Sequence, residues 1–155
     1  MKNLILAIIS VLSLTAFGQD KKTITTEKIP IEVEYAFQKQ FPNIIAKWST
    51  TYEGDDDELL VFVGKFEINS IKNAAMYFPD GQFKALETSL VKSELPIIVQ
   101  KYMKENYPKN RITEASKTID NTEKVIYEVG IMRDSAFYDL VFDADGNFIQ
   151  MLQKD

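Results

Sequence analysis

The chain reads as an α+β protein of two tandem repeats, each one helix followed by a four-stranded antiparallel meander sheet. Three observations predict this. The first is internal similarity. Ile29-Pro30-Ile31-Glu32-Val33 matches Leu95-Pro96-Ile97-Ile98-Val99, and Phe41-Pro42 matches Tyr107-Pro108 at the same spacing. Further on, Asp80-Gly81-Gln82-Phe83 matches Asp145-Gly146-Asn147-Phe148, and Phe62 matches Tyr127. The second is a switch of apolar period within each half, from helical spacing to alternation. The third is the Asp-Gly pair in each half, a turn signal because that dipeptide accepts positive φ.

The elements follow in order. Ile29, Val33, Ala36, Phe37 and Phe41 share one helical face, as do Leu95, Val99, Tyr102, Met103 and Tyr107. Pro30 and Pro96 fall in the first turn, where a missing N–H costs little. Pro42 and Pro108 stop the helices, because a residue before proline avoids the helical region. Ser93 is a candidate N-cap for the second helix. Strands are expected at 46–52, 59–68, 73–78 and 83–89, then at 112–118, 124–133, 135–142 and 148–153. In the second strand of each half, Leu60, Phe62, Gly64, Phe66 and Ile68 share one face, and Val125, Tyr127, Val129 and Ile131 share another. A lone helix covers one side of a sheet, so the other side is expected to stay open or to meet a partner.

Residues 1–18 carry the pattern of a signal peptide. Lys2 precedes an apolar run from Leu4 to Phe17, and Ala16-Phe17-Gly18 suits cleavage after Gly18. The run is short for a membrane span. The expected organisation is a signal peptide at 1–18, a linker at 19–27, and repeats at 28–91 and 92–155. The protein is thus expected to be periplasmic or secreted, with no transmembrane segment after cleavage.

Composition removes several function classes. The 155 residues are 45% hydrophobic and 26% charged, as in an ordinary globular protein. There is no cysteine and no histidine. This excludes disulfides, thiol catalysis and histidine-based triads, and zinc or haem held by those side chains. The net charge of −5 and the scattered basic residues argue against nucleic acid. No cofactor is implied.

The order of these motifs resembles the PepSY-like, or β-lactamase-inhibitor-like, family of exported bacterial proteins. The carrying residues are Ile29-Pro30 and Leu95-Pro96, Phe41-Pro42 and Tyr107-Pro108, and Trp48 on the first strand. Tyr77-Phe78-Pro79-Asp80-Gly81 and Val141-Phe142-Asp143-Ala144-Asp145-Gly146 complete the set. The resemblance spans about residues 28–152. It implies tandem helix-plus-four-strand repeats, a periplasmic or secreted location and no established enzymatic activity. By analogy with β-lactamase inhibitors it implies a sheet surface that binds another protein. One departure stands out: the position matching Trp48 is Glu114.

Candidate binding residues therefore lie on the sheet. If alternation puts Tyr127 and Val129 against the helix, Ile126, Glu128 and Met132 face away, with Phe137, Asp139 and Val141 on the next strand. In the first half, Leu59, Val61, Val63, Lys65 and Glu67 face away. Trp48 and Tyr52 share one face of the first strand, and Trp48 suits either a core or a ligand. The expected site comprises Trp48, Tyr52, Val61, Val63, Lys65, Glu128, Met132 and Phe137. Its expected partner is a protein or peptide of the bacterial envelope, such as a secreted hydrolase that it inhibits. Two other readings remain. One is an acid-based or metal-dependent hydrolase using the acidic loops Asp55-Asp56-Asp57-Glu58 and Asp143-Ala144-Asp145. The other is a sensor or carrier of a small ligand. Neither loop has the order of an EF-hand, so both read first as solvated turns with no metal.

Overall fold

The computed structural model describes residues 28–54 and 59–154. The expected signal peptide, the linker 19–27 and the acidic run 55–58 lie outside the described residues. In chain order the elements are helix α1 (Ile31–Gln40), strands β1 (Lys47–Glu53), β2 (Leu59–Ile68), β3 (Ile71–Tyr77) and β4 (Phe83–Ser89), helix α2 (Ile97–Asn106), and strands β5 (Ile112–Asp120), β6 (Val125–Arg133), β7 (Ala136–Phe142) and β8 (Phe148–Lys154).

Each helix buries the face its spacing predicts. Val33 and Phe37 of α1 are buried, as are Val99 and Met103 of α2. Pro30 and Pro96 sit one residue earlier than expected, as N-caps. Their carbonyls accept the first helical bonds, from Glu34 N at 3.1 Å and Gln100 N at 3.0 Å. Ser93 does not cap α2. It lies in a separate 3₁₀ turn, Lys92–Glu94. Pro96 excludes the helical region for Leu95, which is extended, so a helix cannot run through from Ser93. The Asp-Gly turns form as expected, with Gly81 at φ 82°. A Cβ there would lie 2.6 Å from the Glu32 carbonyl oxygen of α1, so the turn and the helix start fit only with glycine. The β2–β3 and β6–β7 hairpins turn on Asn69-Ser70 and Asp134-Ser135, all at positive φ, the geometry that matches strand twist in two-residue turns.

The sheet corrects the predicted fold class. There are not two repeats, each with its own four-stranded meander sheet. All eight strands form one antiparallel sheet in the order β1 to β8. The join is β4 with β5, from Ala85↔Asp120 to Ser89↔Ser116. The physical reason is the edge. Two separate meanders would leave β4 and β5 with unpaired backbone donors and acceptors, and pairing them removes two edges at once. Alternation along each strand carries no information about that pairing.

The joined sheet has two unlike faces. On the helix face, α1 packs with Phe62, Phe66, Ala75 and Tyr77, and α2 packs with Ala115, Val129, Ile131, Leu140 and Phe142. The opposite face carries a cluster drawn from both halves: Val61, Val63, Ala74, Met76, Ala85, Ile126 and Val141. Among the described residues no helix is long and apolar enough to cross a membrane.

Candidate functional site

The face away from the helices changes character along its length. Toward the β2–β3 and β6–β7 turns its apolar cluster gives way to a cavity of about 210 Å³. The lining includes Ser70 and Lys72, Glu87 and Ser89 of β4, Glu114 and Ser116 of β5, Glu128 and Gly130 of β6, and Asp139 of β7. Register explains why they meet. Ser89↔Ser116↔Glu128 form one cross-strand row, and Glu114↔Gly130↔Asp139 form the next.

Gly130 makes room for Glu114, which lies just past a β-bulge. Between Ile112 and Glu114, β5 takes two steps against one step of β6, from Ile131 to Gly130. The extra residue, Thr113, switches the alternation. It returns Ile112 to the helix-face cluster. Glu114, past the bulge, alternates regularly with Ala115 and shares the face of Ser116. It lies across Gly130, where a Cβ would come within 2.5 Å of Glu114 Cγ. The carboxylate lies 3.0 Å from Lys154 Nζ, which is also 2.8 Å from Asp139.

Two deeply buried carboxyls lack such a partner. Glu87 is 1% exposed and Glu128 5%. Among the described residues no salt bridge reaches either, and Oε2 of each is buried without a hydrogen-bond partner, as is Glu114 Oε2. Burial pushes Glu128 up to about 9, with repulsion from Glu87 and Asp139 adding to it. Burial also pushes Glu87 up to about 7, against the opposing pull of the Ser116 hydrogen bond and Lys154. Lys154 moves upward too. Burial would lower it, but its bonds to Asp139 and Glu114 outweigh that. At neutral pH, then, Glu128 holds a proton, Glu87 is near its midpoint, and Lys154 is charged.

The expected site residues fall into three groups. Glu128 lies in the cavity, and Lys65 lies across β3 on the same face, where its charge acts on Glu87. Met132 and Phe137 form the same-face pair next to Gly130↔Asp139, 46% and 48% exposed. Val61 and Val63 are on this face but buried within its apolar cluster, not open to solvent. The joined sheet supplies their neighbours from the other half. Trp48 and Tyr52 are on the opposite, helix face. Trp48 packs edge-on against Phe37 at 5.2 Å, and Tyr52 is exposed. Sequence reading placed Asp139 on the right face, marked Glu114 only as the departure from Trp48, and did not single out Glu87, Ser116 or Lys154. The available signal was a charged residue at an inward strand position between apolar neighbours, as in Leu86-Glu87 and Tyr138-Asp139-Leu140.

The acidic turn at Asp143 has a different use. Asp143 Oδ1 accepts hydrogen bonds from Asp145 N at 3.0 Å and Asn147 N at 2.8 Å, and Oδ2 accepts from Asn147 Nδ2 at 3.0 Å. The Asn147 side-chain bond is the largest cause holding this carboxyl below its usual range. Its oxygens close a turn. Among the described residues no group of three or more acidic side chains is arranged to hold a metal ion.

The chain matches no family model and no curated protein. Solved structures do resemble it. A presumed periplasmic protein of Bacteroides eggerthii is 15% identical with a TM-score of 0.71, over 82% of this chain and 90% of that one. A DUF2874 family protein of Bacteroides uniformis is 18% identical with a TM-score of 0.69, over 80% and 88%. A BLIP-like protein of Bacteroides fragilis is 18% identical with a TM-score of 0.65, over 83% and 89%. At these identities the likeness is one of fold. It bears out the β-lactamase-inhibitor-like side of the sequence resemblance as architecture, and gives no specific support to the PepSY-like side.

Proposed function

We propose that the protein is an exported, periplasmic binding protein without catalytic activity. It engages a protein or peptide of the envelope through the sheet face away from the helices. The observation that carries this reading is one continuous surface: the exposed Met132–Phe137 pair beside a cavity floored by buried, unpartnered carboxyl oxygens. Apolar anchors next to polar groups awaiting partners suit recognition better than internal packing. The apolar run after Lys2 supports export, and the presumed periplasmic neighbour supports the location. The lack of histidine and cysteine supports a non-enzymatic role. Inhibition of a secreted hydrolase is the sharper form of the proposal, supported by the fold shared with a BLIP-like protein.

The test is a captured envelope partner measured against two variants. Phe137→Ala should weaken the complex by at least about 1 kcal/mol while leaving the denaturation midpoint in place. Phe62→Ala, on the helix face, should lower the midpoint strongly. A Phe137→Ala protein that binds normally overturns the assignment of the face.

One observation favours a second reading, a carboxylate-based hydrolase. Glu87 has a value of about 7 in a cavity, suitable for general acid–base work. Hydrolysis of an ester or glycoside that disappears in both Glu87→Gln and Glu128→Gln would establish it.

A further inference from the structure

The cavity floor has an unusual composition for a buried site. Four carboxyl groups line it: Glu87, Glu114, Glu128 and Asp139. One lysine, Lys154, pairs with two of them, Glu114 and Asp139. Three carboxyl oxygens are buried without a hydrogen-bond partner, on Glu87, Glu114 and Glu128. Each unmet buried acceptor costs roughly 1–3 kcal/mol, and here they converge from three adjacent strands on one space. What would satisfy them is a ligand that brings several N–H donors and positive charge together.

We propose that this cavity binds the guanidinium group of an arginine side chain presented by the protein or peptide partner. Once ionised, the four carboxyls outnumber the three lysines around them, Lys65, Lys72 and Lys154, which argues for a cation. The number and spread of the acceptors argue for guanidinium over ammonium. Guanidinium has five N–H donors in a flat fork, and an ammonium is a compact point with three. The next pair along the same face, Met132 and Phe137, is exposed and apolar. It provides a surface for the aliphatic stem and for stacking of the guanidinium plane. The assignment rests on the binding-face reading above and adds the chemistry of the ligand.

The charged groups around Glu128 and Glu87 set their pH behaviour. They are Lys65 on β2, Lys72 on β3, Glu87 on β4, Glu114 on β5, Asp139 on β7 and Lys154 on β8. An incoming cation favours the ionised carboxylates, so binding expels protons from Glu87 and Glu128. Affinity should therefore rise with pH through the neutral range and level off above the Glu128 value of about 9.

The test uses 15N-labelled protein and three probes: acetyl-Gly-Arg-Gly-amide, the same peptide with citrulline, and free agmatine. The arginine peptide should shift the amide signals of Ser116, Glu128 and Gly130. The citrulline peptide, of the same shape without charge, should bind about tenfold more weakly or not at all. Affinity for the arginine peptide should rise about tenfold or more from pH 6 to pH 9. Glu128→Gln, which copies the protonated acid and should fold, should flatten that profile, and Glu87→Gln should flatten its lower part. Equal binding of the two peptides, a pH profile unchanged in both variants, or shifts confined to the helix face would overturn the proposal. Agmatine binding without peptide binding would overturn the partner as the source. If Phe137→Ala still weakens a captured partner while the arginine peptide fails, the binding face stands and the arginine assignment falls.

Discussion

Trp48 on β1 and Glu114 on β5 match by sequence spacing, and each lies across a glycine of the neighbouring strand, but strand register makes Ala115, across Val129, the counterpart of Trp48 across Gly64. Gly64 faces Trp48, where a Cβ would come within 2.9 Å of the indole rim. Gly130 faces Glu114, where a Cβ would come within 2.5 Å of Cγ. The two pairs look to opposite faces. β1 pairs with β2 without a break, so Trp48 stays on the helix face against Phe37 and Tyr77. From Glu114 to Ile119, β5 also pairs without a break, so Glu114 shares the face of Ser116, away from the helices, and meets Lys154. A missing Cβ makes room for a large neighbour in both cases. The face on which the glycine lies decides whether that neighbour builds core or site.

Several substitutions break or sharpen this contrast. The largest effect is expected at Phe37, whose ring touches Phe41, Trp48 and Phe66 at 5.2–5.3 Å between centroids. Phe37→Ala should cost roughly 3–5 kcal/mol in denaturant unfolding, and it should shift the emission of the single tryptophan to the red as Trp48 loses its cover. Next come the glycines. Gly64→Ala and Gly130→Ala should each destabilise by about 1–3 kcal/mol through overpacking. Only Gly130→Ala should also alter the pH dependence, since it displaces Glu114 from Lys154. Equal pH profiles for the two variants would mean that the glycine beneath Glu114 serves packing alone.

A smaller effect concerns pH itself. Glu128 and Glu87 have folded values raised above those of the unfolded chain. The folded state therefore keeps protons that the unfolded state releases. Their contribution to stability is full below about pH 4.5, falls as pH rises, and is gone above about 9 for Glu128 and about 7 for Glu87. Glu128→Gln should remove the first of these losses, so its melting temperature should fall less than the parent's between pH 5 and 9. A parallel fall in both proteins would show that Glu128 does not titrate in that window. The smallest effect is expected at Phe137, about half exposed. Phe137→Ala should change stability by less than about 0.5 kcal/mol. A loss as large as that of Phe37→Ala would make the Met132–Phe137 pair a core and move the binding surface elsewhere.

Much of the helix face was legible from the residues. Val33, Phe37, Val99 and Met103 are buried as their spacing predicts, and Phe62, Val129 and Ile131 meet them through period-two alternation. The prolines bounded both helices to within a residue or two. The site was legible only in pieces. Glu128, Lys65, Met132 and Phe137 were on the correct face, but Glu87, Glu114 and Lys154 come from strands distant in sequence.

What the sequence determined by itself are the features that depend on near neighbours: helix faces, strand alternation, and turns at Gly81 and Gly146. These follow from backbone periodicity and from φ preferences, which act over a few residues. What only the tertiary structure decided is how the elements are joined. The pairing of β4 with β5 made one sheet of eight strands and gathered both halves into one face. The register of β5 against β6 set Glu114 across Gly130, on the face where Lys154 reaches it. Both depend on hydrogen bonds between strands. Alternation says which residues share a face of one strand, but not which strand lies beside it.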